Sequence, residues 1–132
     1  MNAATPPATA AEARCRFIEH RGKRILFHDL SNIMDPKDGF PVVEASKAIM
    51  ARQPMASVLT LTYVAGSRFN REIVEALSEL VKHNKPYVKH GAIVGLSGLQ
   101  KVVYITVTQL SGRRLPTFTT VEEAKDWLVA QP

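Results

Sequence analysis

"SGLQKVVYITVTQLSGR", residues 97–113, decides the fold of this 132-residue chain. Its β-branched side chains, Val102, Val103, Ile105, Thr106, Val107 and Thr108, each favour a strand. Leu99, Val102, Val103, Thr106 and Leu110, however, recur at helical spacing. Ser97 stands where a helix start needs a cap, and Gly112 where the helix needs a stop. The segments on either side alternate strand and helix, which also asks for a helix here. Leu99, Val102, Val103, Thr106 and Leu110 are its expected core stripe. Tyr104, Ile105 and Val107 are then surplus apolar groups on the flanks and form a candidate interface, with a C2 homodimer as the default pairing. The bland alternative is a helix buried all round by the N-terminal hairpin or the tail.

Working outward, residues 14–20 and 23–30 read as two strands joined at Arg21-Gly22, where glycine supplies the positive φ of a tight hairpin. Val42, Ser46, Ile49 and Gln53 share a helical face with Met50 beside it, Pro41 suits the first turn, and Pro54 ends the helix. Residues 58–64 form a strand with Leu59, Leu61 and Tyr63 on one side and Thr60 and Thr62 on the other, both sides covered. The clearest helix runs from Asn70 to His83, with Ile73, Leu77, Leu80 and Val81 inward and Asn84 as C-terminal cap. Residues 87–94 and 115–119 are strands. Thr120 opens a last helix as N-cap, Glu123 completes a capping box, and Ala124, Trp127 and Leu128 face the core. The order is β-β-α-β-α-β-α-β-α. It predicts a single α/β domain whose mixed sheet has an antiparallel N-terminal hairpin, then parallel strands, with about four helices.

Composition bounds the function. With 45% hydrophobic and 22% charged residues the chain fits one globular domain, over residues 14–132. Residues 1–13, Ala-, Thr- and Pro-rich, read as a disordered tail without the apolar region of a signal peptide. No run reaches membrane-span length. The single cysteine, Cys15, suits a reducing cytoplasm and an inert packed thiol. A net charge of +5 raises the prior for nucleic acid, but the cations are scattered and not interleaved with aromatics, so a solvated basic surface is the preferred reading.

No residue set points to catalysis, a metal or a cofactor. His20, His28, His83 and His90 show no metal-ligand spacing. His28 and Asp29 are strand neighbours pointing to opposite faces, so they cannot converge with Ser31 as a triad. Gly95-Leu96-Ser97-Gly98 lacks the second glycine position of a nucleophile elbow, and no phosphate-loop spacing occurs. Asp35 to Gly39 resembles a calcium loop in composition only.

The layout, together with R-G-K-R-I-L-F-H-D-L-S-N, G-S-R-F-N, A-I-V-G-L-S-G-L-Q-K and F-T-T-V-E-E-A-K-D-W-L, resembles the STAS superfamily. Specifically, it is similar to the SpoIIAA-like, STAS/SEC14-type branch of small bacterial proteins, over roughly residues 14–130. The resemblance implies a non-enzymatic regulatory module that binds a protein partner or a small ligand. In the anti-sigma-factor antagonists of that superfamily, a strand end reading Asp-Ser-Ser-Gly carries a phosphorylatable serine that meets a partner kinase. The matching stretch is Ala65-Gly66-Ser67-Arg68, with Ser67 at or beside the switch position, no aspartate before it and no glycine after it.

Elementary electrostatics makes Gly66, Ser67, Arg68, Asn70 and Arg71 a candidate anion or partner site, because a helix N-terminus offers free N–H groups and a positive dipole end. The competing expectation is that Ser67 or Asn70 only caps that helix, with Ser67 favoured as the cap and phosphorylated weakly at most. Three functions follow as expectations. The leading one is a cytoplasmic protein-binding module whose partner is a kinase or anti-sigma factor. The second is a carrier or sensor of a small apolar or lipid-like ligand held between helices and sheet. The weakest is a basic nucleic-acid adaptor.

Overall fold

The computed structural model describes residues 10–112 and 115–132. A five-stranded sheet carries strands β1 (Cys15–His20), β2 (Lys23–Asp29), β3 (Val58–Tyr63), β4 (Val88–Val94) and β5 (Thr117–Phe118), paired in that same order. β1 and β2 are antiparallel, and every later pairing is parallel, as the sequence predicts. The hairpin turns through Arg21 (φ 50°) and Gly22 (φ 79°), the pair of positive φ values that matches strand twist.

The helices are α1 (Ala10–Arg14), α2 (Phe40–Met50), α3 (Arg71–Asn84), α4 (Leu99–Ser111) and α5 (Val121–Ala130). Strand order never reverses, so right-handed crossovers place α2, α3 and α4 on one face of the sheet. Leu26 and Leu30 pack there with Val42 and Met50. The other face belongs to α5, whose Ala124 and Leu128 are fully buried against Ile25, Leu59, Leu61, Ala92 and Val94. Trp127 flanks them, edge-on to His90. β3 is covered on both faces, as expected. His20 Nε2 lies 2.8 Å from Asp126 Oδ1 and Arg21 3.3 Å from it, tying α5 to the hairpin. The His20 hydrogen bond, with the nearby cations, holds the exposed Asp126 carboxyl below its ordinary range.

Several local expectations are corrected. Residues 10–13 of the expected tail form α1 with Arg14, whose guanidinium donates to the carbonyls of Asp29 (3.1 Å) and Ser31 (2.8 Å). The Ala-rich segment has the propensity for a helical turn, and these bonds anchor it. Residues 1–9 lie outside the described residues. Asn70, not Ser67, caps α3, its Oδ1 accepting from Ile73 N at 3.0 Å. Ser97 does not cap α4; Gly98 takes the N-cap position, and Gly112 (φ 70°) ends the helix as expected. Asn84 does not adopt a left-handed C-cap, because its side chain is held in the core. At α5 the expected cap forms, with Thr120 Oγ1 accepting from Glu123 N at 3.2 Å.

The helix expected within residues 97–113 is present as α4, but its face is rotated from the expected one. Val102, Ile105 and Leu110 are 59%, 53% and 51% exposed, so two members of the expected core stripe lie outside. Tyr104 and Val107, expected on the outer flanks, line the inner side together with Val103. Gln100 sets this phase. It is buried, and its Nε2 donates to the carbonyls of Val64 (2.8 Å) and Ser67 (3.0 Å), which fixes the first turn of α4 over the ends of the strands. Among the described residues no helix is long and apolar enough to cross a membrane.

Candidate functional site: a cavity under α4

On the face shared by α2, α3 and α4, cross-strand register lines up Cys15, His28, Thr62 and Ile93 in one row. The neighbouring row runs Phe17, Leu26, Thr60 and Gly91. α2 and α3 each lower one polar side chain onto the first row, Ser46 and Asn84. Ser46 Oγ is 2.7 Å from His28 Nε2 and receives Asn84 Nδ2 at 3.1 Å, while His28 Nδ1 meets Thr62 Oγ1 at 3.1 Å. Either neutral tautomer satisfies these contacts: Ser46 donates to Nε2 and Nδ1–H to Thr62, or Nε2–H donates to Ser46 and Thr62 donates to Nδ1.

Burial pushes the His28 imidazole down to about 4, and no charged side chain among its hydrogen-bond partners opposes that. Burial likewise pushes the Cys15 thiol up to about 12, a hydrogen bond with Ser46 offsetting this only in part. At neutral pH the cluster carries no charge. The thiol is not a nucleophile, and the histidine is not paired with an acid. Asp29 turns the other way and accepts from Ser31, so His28, Asp29 and Ser31 do not converge.

Beside this cluster the sheet, α3 and α4 leave a cavity of about 100 Å³, partly open to solvent. Its walls are Leu77, Val81, Val103, Tyr104, Val107 and other apolar groups, and its polar floor comprises Thr60, Thr62, His28 and Asn84. Among the described residues, no lysine, arginine, aspartate or glutamate lines it. Tyr104 does not offer its hydroxyl to the space, because it donates to the carbonyl of Leu115. Gly91 keeps the floor low, since a Cβ there would come within 2.8 Å of Thr60 Oγ1 and 3.2 Å of Leu115.

The residues singled out around Gly66 do not converge on an anion. Ser67 is buried, donates to the Leu30 carbonyl and accepts from Ile33 N at 2.9 Å, so it fastens the two strand-end loops together. A kinase reaches it only after that loop opens. Asn70 is spent on its cap, and Arg71 pairs with Glu75 at 3.2 Å. Gly66 (φ 75°) and Arg68 are exposed in the loop between Val64 and α3. A larger hollow at the opposite end of the strands is rimmed by Lys23, Arg24 and Lys89. Two of those cations serve the fold: Lys23 donates to the Val129 carbonyl at 2.9 Å, and Arg24 stacks 3.8 Å above Phe17. No group of three or more His, Cys, Asp or Glu among the described residues is placed to hold a metal ion.

Sequence reasoning placed Ser46 on the inner face of α2 and Thr60 and Thr62 on one face of β3, but did not join them to His28 and Asn84. The available signal was polarity itself: a serine within an apolar helical stripe and two threonines facing inward from a doubly covered strand. The chain matches no protein-family model, no curated protein and no solved structure.

Proposed function

We propose that the protein is a non-catalytic binding module that holds a small apolar ligand between α3, α4 and the sheet. The observation that carries this reading is the cavity of about 100 Å³ with apolar walls and a neutral polar floor. Engineered apolar cavities of about 150 Å³ stay dry and take up benzene, so a space of this order fits a ligand, or the buried end of one, of several carbon atoms. The catalytic reading finds little support, because the only titratable groups in the buried cluster are neutral and have no acidic or basic partner. The resemblance to the SpoIIAA-like branch of the STAS superfamily agrees with a ligand- or partner-binding role. The test is to extract the purified protein with organic solvent and identify what is released, in the native chain and in Val107→Trp, which fills the cavity. Co-purification with the native chain alone supports the reading. Equal release from both proteins refutes it.

A second reading is favoured by the outer face of α4, where Val102, Ile105 and Leu110 are more than half exposed. A second copy of the chain pairing through that face makes a regulatory dimer, the role expected of Ile105 from the sequence. Sedimentation of the native chain and of Ile105→Glu tests it. A native dimer that the substitution converts to a folded monomer is the expected result, and a native monomer at micromolar concentration ends this reading.

A further inference from the structure

We infer that the cavity ligand is neutral and carries one hydrogen-bonding group, a hydroxyl or a carbonyl, which docks on Thr60 at the cavity floor. This rests on the ligand-binding reading above and adds the chemistry of the ligand. Thr60 is only 6% exposed, yet its Oγ1 has no hydrogen-bond partner among the described residues. The atom is not sealed off, because no fully enclosed side-chain nitrogen or oxygen lacks a partner. Its place next to Gly91 puts it on the cavity side of β3. A hydroxyl that the protein leaves unpaired at the floor of a largely apolar space offers its hydrogen bond to whatever occupies that space, water or a ligand group. Every other polar group on the floor has a partner within the protein. His28 and Asn84 are tied to Ser46, and Thr62 to His28.

The same floor defines what is refused. A carboxylate or phosphate brought to Thr60 meets no cation among the described residues, because none of those lining the cavity is charged and His28 is neutral. A buried charge without a counter-charge is strongly disfavoured. A pure hydrocarbon fills the walls but leaves Thr60 unpaired. A neutral alcohol or ketone satisfies both.

Three probes of matched shape separate these cases: cyclopentanol, cyclopentane and cyclopentanecarboxylate, titrated at pH 7 while amide chemical shifts are followed. The native chain is expected to bind cyclopentanol about three- to tenfold more tightly than cyclopentane, the gain from one net hydrogen bond. The carboxylate is expected to show no binding at the cavity. In Thr60→Val the shape is kept, the alcohol preference is lost and cyclopentane binds as before. Because the hydroxyl has no internal partner, this variant keeps its melting temperature, whereas a structural hydroxyl would lower it. Thr60→Ser is expected to restore the preference. Equal binding of alcohol and hydrocarbon by the native chain overturns the role of Thr60 while leaving the cavity as a ligand site. So does tighter binding of the carboxylate. Binding of none of the three probes overturns the ligand-binding reading itself.

Discussion

Acid should unfold this protein through His28, and the size of the effect follows from its burial. The imidazole sits wholly inside, hydrogen-bonded to Ser46 and Thr62, with its pKa lowered from 6.5 to about 4. Between those values the unfolded chain binds a proton that the folded chain does not. The stability that depends on a neutral His28 is therefore fully present above pH 6.5, falls as pH drops, and is gone below about pH 4. One pKa unit corresponds to about 1.4 kcal/mol, so the loss amounts to about 2 kcal/mol at pH 5 and roughly 3 kcal/mol at the acid limit. The assay is urea unfolding of the native chain and of His28→Gln at pH 7.5 and pH 5. His28→Gln is less stable at pH 7.5 because two hydrogen bonds are altered, but it should lose about 2 kcal/mol less than the native chain between the two pH values. Surface carboxylates such as Asp126 titrate in both proteins and cancel in the comparison. If both proteins lose the same stability, burial does not hold His28 neutral and the reasoning is wrong. A proton NMR titration of the imidazole gives an independent check, with His28 remaining neutral through pH 6.

Ser67→Ala should cost about 2–3 kcal/mol, because it strands the Leu30 carbonyl and the Ile33 amide, while Asn70→Ala should cost only about 1 kcal/mol as the loss of a cap. Chemical denaturation of the two variants decides this order, and a costlier Asn70 variant contradicts the roles assigned to both residues. On α4, Ile105→Glu should leave the melting temperature within a few degrees of native, whereas Val107→Glu places an unpaired charge in the cavity wall and should abolish cooperative unfolding. A melting temperature left near native by Val107→Glu as well would restore the outward placement of Val107 expected from the sequence. Leu128→Ala, at a fully buried site, should lose about 2–5 kcal/mol in urea titrations; a loss below 1 kcal/mol would mean that α5 is not packed as described.

The fold was readable because its signals are local and repeat. A hairpin with Arg21-Gly22, an amphipathic α3 and a capped α5 each announce themselves within about a dozen residues, and right-handed crossovers then fix the sheet. The face of α4 was not readable. Leu99, Val102, Val103, Tyr104, Ile105, Val107 and Leu110 spread apolar character around the whole helix, so periodicity cannot choose a side. Gln100 makes the choice through bonds to the carbonyls of Val64 and Ser67, more than 30 residues earlier in the chain. The buried cluster was hidden for the same reason. Cys15, His28, Ser46, Thr62 and Asn84 meet only after register and crossovers have formed, and no spacing in the chain links them. Ser67 illustrates the converse error. Its position before a helix is that of a cap, but the Leu30 and Ile33 backbone groups compete for its hydroxyl, and Asn70 is left to cap the helix.

The unbroken strand order has a consequence for how the chain assembles. Each strand pairs with the one made just before it, so the sheet grows from one edge in the direction of synthesis and never waits for a distant partner. Short loop closures of this kind favour rapid, stepwise assembly. The final step differs, because α5 must cross to the face that no crossover helix covers. Until residues 121–130 emerge, Ile25, Leu59, Leu61, Ala92 and Val94 form a bare apolar surface on a nearly complete sheet. A nascent chain halted before Val121 is therefore a sticky intermediate, prone to aggregate or to need a chaperone, and only the arrival of α5 ends that exposure.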